Sequence, residues 1–339
     1  MSLCRLPLLI WLLLSAPLAA SAAEETDVFE FDDTPLEQPL EYPDWFKLSF
    51  LDLRDDLAEA VAAGKQGLIV YFGQAHCAYC KMLLQVNFGK PDIIAYTRRN
   101  FDVVPIDIWG PEEVTDLQGR QLSEREFALR EGTNFTPSLI FYDAQGRVAF
   151  RLRGYYPPYK FRAALEYVVD GYYRQEPFAD YLARGDAGTA FEPGDLNEED
   201  FFIPPPQDLD RSRLAGERPL MVFFEQGNCH ACDVLHSQPL RDPAIRRRIR
   251  GFDNVQLDIR SDTPVVTPAG ERTTAKAWAR ELGLFYTPSL LFFDERGREI
   301  IRVDSVVRFY RLRNVFDYIT SRGYLSEPNY QRWRVSRGL

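Results

Sequence analysis

The sequence predicts an α/β fold built twice in tandem, each unit a mixed β-sheet flanked by helices. Two observations carry this. Residues 68–169 lie over residues 220–319 at an offset of 151 to 152, far longer than the ~20–50 residues of a solenoid unit, so the repeat is a duplicated domain. Within each copy, short apolar runs alternate with helical patterns and end in a hairpin and a last helix, the order of an α/β sandwich.

The elements follow in order. Copy one reads LIVYFGQAHCAYCKML where copy two reads LMVFFEQGNCHACDVL, so Cys77, Cys80, Gln74 and Pro91 fall on Cys229, Cys232, Gln226 and Pro243. The apolar runs 68–72 and 220–224 are buried strands, and the CxxC stands where each turns into a helix carrying Met82, Leu83 and Val86, or Val234 and Leu235. A second strand is expected at 101–108 and 255–259, then a helical stretch at 124–130 and 275–282. Thr136-Pro137 and Thr287-Pro288 introduce apolar strands at 138–142 and 289–293. Asp143 to Gly146 and Asp294 to Gly297 are hairpin chemistry, and an amphipathic helix closes each copy, at 160–173 and 310–321.

The whole chain of 339 residues has room for about two ordinary domains. At 45% hydrophobic and 27% charged it reads as folded. A net charge of −10 speaks against nonspecific nucleic-acid binding, which needs clustered Lys and Arg. Residues 1–23 read as a secretory signal peptide: Arg5, an apolar core at 6–14, and a small-residue cleavage site at Ala20-Ser21-Ala22. The apolar run is shorter than the ~20 residues of a spanning helix, so the mature protein is expected to be exported and not an integral membrane protein. Cys4 would leave with the leader. The remaining divisions are an acidic N-terminal tail at 24–44, domain 1 at 45–175, a Pro-rich acidic linker at 176–210, domain 2 at 211–325, and a basic C-terminal tail at 326–339. Both tails are expected to be solvated.

Five cysteines are too few for a disulfide scaffold, so their spacing carries the meaning. Two cysteines three apart at a helix start project from one face of its first turn, close enough for a disulfide to open and close. Unpaired N–H groups and the helix dipole favour a thiolate on the first, making Cys77 and Cys229 the expected nucleophiles and Cys80 and Cys232 the resolving residues. Haem attachment would need His after the second cysteine, where Lys81 and Asp233 stand. A Cys₄ zinc site would require the two pairs to face one another. A permanent structural disulfide closes so short a loop that it gains little. A thioredoxin-fold Cu(I) chaperone with the CxxC pairs as soft ligands is the alternative function, though Met and His number only three each.

A strand, a CxxC opening a helix, and a Thr-Pro about 56–60 residues later before a hairpin resemble the thioredoxin fold. The run DLQGRQLSEREFALREGTNFTPSLIFYDAQGRVAFRLRGYYPP is similar to exported thioredoxin-related bacterial proteins of the SoxW type, here in a tandem form. The resemblance implies a protein-disulfide reductase or isomerase without a cofactor or resident metal. Its partners would be exported proteins with disulfides and a membrane electron donor, and its site would be periplasmic. It also implies that Pro137 and Pro288 are cis and that Thr136 and Thr287 contact substrate backbone. There are departures: Ala78-Tyr79 and His230-Ala231 replace the Gly-Pro of thioredoxins proper, and Tyr71 or Phe223 stands where those carry a buried Asp. His76, Tyr79, His230 and Glu225 are therefore read as modulating residues, with Glu225 at a solvated strand end. Gly154 becomes Ser305 in copy two, so the sites are expected to differ.

Overall fold

The computed structural model describes residues 28–186 and 195–339. The leader read at 1–23, with Cys4, lies outside the described residues.

Domain 1 runs α1 (Leu53–Ala62), β1 (Gly67–Gly73), α2 (Ala78–Met82), α3 (Pro91–Asn100), β2 (Phe101–Asp107), β3 (Glu113–Thr115), β4 (Gln121–Ser123), α4 (Glu124–Arg130), β5 (Ser138–Asp143), β6 (Val148–Arg153) and α5 (Pro158–Val169), with α6 (Phe178–Asp186) after it. Domain 2 runs β7 (Gln207–Asp208), β8 (Leu220–Glu225), α7 (His230–Ser237), α8 (Pro243–Ile249), β9 (Asp253–Asp258), β10 (Pro264–Val266), β11 (Arg272–Thr274), α9 (Ala275–Glu281), β12 (Ser289–Phe293), β13 (Glu299–Val303) and α10 (Phe309–Thr320), followed by α11 (Gly323–Ser326) and α12 (Tyr330–Ser336).

The two main sheets have the same topology, β2-β1-β5-β6 and β9-β8-β12-β13. The first pair in each is parallel and the other two antiparallel, a mixed sheet as the repeat predicted. Strand β1 is buried at every position because helices cover both faces. Its alternation divides the core: Leu68, Val70 and Phe72 pack with Leu53, Leu57 and Phe127, whereas Ile69 and Tyr71 pack with Phe161, Leu165 and Val168. In domain 2, Val222 and Phe224 meet Trp278, and Met221 and Phe223 meet Leu312, Val315 and Phe316. Each such side chain is worth about 1.5–3 kcal/mol on burial, so the central strands hold each CxxC against a stiff support.

Several local details depart from the sequence expectation. The helix after Cys80 is α-helical only to Met82 and continues as a π turn, Leu83–Asn87, in which Phe88 N–H reaches the Leu83 carbonyl at 2.9 Å. Buried Asn87 is turned inward there and donates to the Tyr156 carbonyl at 3.0 Å. Helices α1, α3 and α8 were not anticipated.

Neither terminal segment is merely solvated. Asp33 is buried, and the 36–40 stretch lies along the loop before Cys77, with Leu36 N–H on the His76 carbonyl and Leu40 N–H on that of Ala75. The arginines of the C-terminal stretch are interleaved with Tyr330 and Trp333, which are three apart on α12, and both are buried in the domain 2 core. The linker region contributes Phe178 to the domain 1 core, while Phe201 and Phe202 pack on Phe223 of domain 2.

The domains meet through equivalent loops. Val306 N–H donates to the Tyr155 carbonyl at 3.1 Å, Tyr286 and Val306 join the domain 1 core, and Phe135 joins that of domain 2.

Candidate active sites

Each CxxC sits at the end of a central strand, where the chain turns into a helix capped by the first cysteine. Cys77 Sγ accepts from Cys80 N–H at 3.0 Å and Cys229 Sγ from Cys232 N–H at 3.1 Å. Both pairs are closed as disulfides, with Cα atoms 5.1 and 5.2 Å apart. The first sulfur of each pair thus receives a helix N–H, the interaction that stabilises a thiolate once the bond is reduced. Cys80 and Cys232 have no exposed surface, whereas Cys77 and Cys229 keep a sliver of it, so attack from outside falls on the first cysteine.

The Thr-Pro loops stand against these sulfurs. Thr136-Pro137 and Thr287-Pro288 are both cis, as the resemblance implied. Thr136 Oγ1 lies 3.3 Å from Cys77 Sγ and accepts from Gln74 Nε2 at 2.8 Å. Thr287 Oγ1 lies 3.5 Å from Cys229 Sγ, and its carbonyl oxygen 3.7 Å away.

Beyond this shared frame the sites diverge. Arg311, on α10 of domain 2, donates from Nη2 to the Thr136 carbonyl at 2.9 Å and stacks over the Tyr79 ring at 3.3 Å. Tyr79 itself donates to Asp33 at 2.8 Å and accepts from Arg308 N–H at 2.9 Å. Burial and the Asp33 carboxylate push its phenol pKa well up, so it stays neutral. On the other side of Thr136, Gln331 Nε2 donates to the Asn134 carbonyl at 3.1 Å. Site 1 is therefore enclosed by domain 2, the C-terminal helix and the N-terminal segment. The reciprocal contact does not reach the Thr-Pro pair: Lys160, the counterpart of Arg311, donates to the Phe285 carbonyl at 3.0 Å, two residues ahead of Thr287. Thr287 remains half-buried, while Thr136 is 1% exposed.

The modulating residues find different surroundings. His76 is exposed, with Nδ1 2.8 Å from the Leu36 carbonyl. His230 packs edge-on against Phe29 at 5.4 Å, and two residues on Phe31 packs against Tyr79 at 5.1 Å. One extended segment therefore touches both CxxC dipeptides. Glu225 is not at a solvated strand end: it is fully buried, 3.0 Å from His236 Nε2, and accepts from Gln256 at 2.7 Å. The alternation of β8 puts it on the same face as Met221 and Phe223, beneath α7. Burial lowers the His236 pKa, but hydrogen bonds and charge from Glu225 and Glu199 outweigh it, and the net shift is upward.

The thioredoxin-like domain family matches the chain twice, at residues 53–169 and 205–320. The chain belongs to the thioredoxin-like domain family. Solved structures similar to it include a thioredoxin-fold protein from Helicobacter pylori, 22% identical over 42% of this chain and 89% of that one, with a TM-score of 0.34. A thioredoxin from Thermus thermophilus is 23% identical over 41% and 92%, with a TM-score of 0.28. A disulphide isomerase from Xylella fastidiosa Temecula1 is 16% identical over 44% and 98%, with a TM-score of 0.25. No curated protein is significantly similar to the chain.

Within this tandem thioredoxin-like frame, sequence reasoning missed Asp33, Arg311, Gln331, Glu199 and His236. Only His236 carried a local signal, since it follows Cys232 by four positions on a helix. The others reach their sites from distant parts of the chain. Among the described residues, no group of three or more His, Cys, Asp and Glu is placed to hold a metal ion, and no helix is long and apolar enough to cross a membrane.

Proposed function

We propose that the chain is an exported thiol–disulfide oxidoreductase of the SoxW-like kind, periplasmic in a Gram-negative cell, that reduces or isomerises disulfides of exported proteins. The observation that carries this is the placement of each first cysteine: a slightly exposed sulfur receiving a helix N–H beside a cis-proline loop. In the reducing direction the Cys229 thiolate attacks a substrate disulfide, forming a mixed disulfide and releasing one substrate sulfur as thiolate. Cys232 then attacks Cys229, the protein disulfide closes, and the second substrate sulfur leaves. Two electrons pass to the substrate, and the oxidised pair needs a dithiol donor, which we assign to a membrane electron carrier.

The two sites divide the labour in this reading. Half-buried Thr287 offers backbone to an extended substrate chain, while the Thr136 carbonyl is taken by Arg311. Site 2 therefore serves protein substrates, and site 1 relays electrons within the molecule. Trapping with Cys80→Ser and Cys232→Ser tests both points. Distinct captured species, with protein substrates on Cys229, support the division; identical partners on both sites with no exchange between domains refute it. A chain that forms no mixed disulfide at either site refutes the oxidoreductase reading itself.

A further inference from the structure

A cavity of about 120 Å³ lies beside the first cysteine pair, and Cys77, Gln74, Thr136, Arg311, Gln331 and Arg334 line it. Direct contacts join its wall. Thr136 Oγ1 lies 3.3 Å from Cys77 Sγ and accepts from Gln74 at 2.8 Å. Gln331 Oε1 accepts from Gln74 at 3.5 Å and from Arg334 Nη1 at 3.1 Å, while Arg311 Nη2 donates to the Thr136 carbonyl at 2.9 Å.

Two donors of this wall are left over. Arg311 Nη1 and Arg334 Nε are buried and have no hydrogen-bond partner among the described residues. Nor does any carboxylate oxygen among those residues lie within 4.0 Å of either guanidinium. Asp33 lines the cavity too, but its carboxylate is engaged by the Tyr79 hydroxyl and by Tyr310 N–H and Arg311 N–H. Burial presses the Arg311 pKa downward and the Arg334 charge adds to that effect, against Tyr79, Tyr330 and Asp33. Buried charges are ordinarily paired, so two guanidiniums on one wall call for an anion. A cavity of ~150 Å³ takes a benzene ring, which limits the occupant here to about five or six non-hydrogen atoms. An extended peptide is excluded, because the Thr136 carbonyl is already bound.

We propose that site 1 reduces short anionic disulfides, holding the carboxylate of one half on the spare donors of Arg311 and Arg334 while its sulfur bonds to Cys77. This rests on the oxidoreductase reading above and adds a small-molecule substrate class to it. The Cys77 thiolate attacks the small disulfide: the bond to Cys77 forms, the substrate S–S bond breaks, and one half departs as a thiolate. Cys80 then attacks Cys77, the protein disulfide closes, and the second half leaves as a thiol with the Cys80 proton. Two electrons pass from the cysteine pair to the substrate, and the dithiol donor assigned above restores the pair. Site 2 has Lys160 in the place of Arg311, directed to the Phe285 carbonyl, so selection by charge belongs to site 1.

The test uses the full chain with Cys80→Ser, Cys229→Ala and Cys232→Ala, so that Cys77 keeps whatever it captures, and the mirror variant with Cys232→Ser, Cys77→Ala and Cys80→Ala. Each is reduced and mixed with dithiodiglycolate, hydroxyethyl disulfide or cystamine, which are anionic, neutral and cationic, and the mixed disulfide is timed by peptide mass. The ratio of the dithiodiglycolate to the cystamine rate is expected to be at least about fivefold higher at Cys77 than at Cys229. Arg334→Gln should bring the two ratios to within about twofold and leave the hydroxyethyl disulfide rate at Cys77 within about twofold of its parent. A smaller difference between the sites, or one that survives Arg334→Gln, overturns the inference, as does a Cys77 that captures nothing while Cys229 reacts. Should Arg334→Gln fail to fold, the comparison of the two sites decides. Failure of both cysteines to react with any of the three disulfides instead overturns the oxidoreductase reading.

Discussion

Arg311 of the second domain donates to the carbonyl of Thr136 in the first, at 2.9 Å, so the backbone edge beside the Cys77 site is occupied by the chain itself. The same guanidinium covers Tyr79, the residue between the two cysteines. A contact of this kind has a direct consequence for access. In Arg311→Ala, reduced Cys77 should react faster with a bulky maleimide, with Cys229 unaffected as an internal reference. Equal Cys77 rates in the two proteins would show that α10 does not restrict this site.

Asp33 acts as a helix cap from a distance. Helix α10 has no side-chain cap of its own, and the Asp33 carboxylate accepts from Tyr310 N–H and Arg311 N–H, both at 2.8 Å, as well as from Tyr79. Asp33→Ala should cost about 1–2 kcal/mol, the usual worth of a cap reinforced by the helix dipole. It should also expose residues 28–44 to proteolysis. Urea titration and timed digestion measure the two effects, and an unchanged midpoint with an intact N-terminus would contradict this role.

His236 should make stability depend on pH in a defined direction. Its pKa is raised in the folded state by Glu225 and Glu199 against the opposing effect of burial, so protonation favours folding. The contribution is fully present below the unfolded value of about 6.5 and is lost as pH rises through the higher folded value. Denaturation midpoints followed from mildly acidic to alkaline pH should show this loss, and His236→Gln should flatten it. An identical slope in the variant would mean that other groups carry the dependence.

Gly154 and Ser305 are equivalent positions of the two copies, and they meet. Gly154 has φ +103°, and a Cβ placed there would lie 2.7 Å from Ser305 Cβ. Gly154→Ala should therefore destabilise by roughly 1–3 kcal/mol, as overpacking does, with backbone strain added. Ser305→Gly should restore part of the loss in the double variant, because it removes the clash but not the strain. Simple additivity of the two substitutions in thermal melts would argue against the contact.

Much of each domain was legible from local pattern. The strands at 68–72 and 289–293, the helix at 124–130 and the Asp-to-Gly hairpin turns are encoded by apolar runs and turn chemistry within a few residues, and the structure places them there. The hairpins show why: Asp143 and Asp294 each accept from backbone N–H groups two and four residues on, a purely local bond. The tails were misread for the opposite reason. Composition registered the charges of residues 24–44 and 326–339 but not that Asp33 would find a helix N-terminus, or that Tyr330 and Trp333 would find the second core.

By itself, then, the sequence determined that there are two versions of one α/β domain, where their four paired cysteines lie, and which residue of each pair stands at the helix start, because spacing and helix-start chemistry act over a few residues. Tertiary structure alone decided that Arg311 and the C-terminal helix enclose the first site, that one N-terminal segment touches both CxxC dipeptides, and that Glu225 is buried against His236. Those relationships join residues from 11 to 257 positions apart, and they follow from how strand and helix pack within a domain and how the duplicated domains gather the segments around them, which no local pattern encodes.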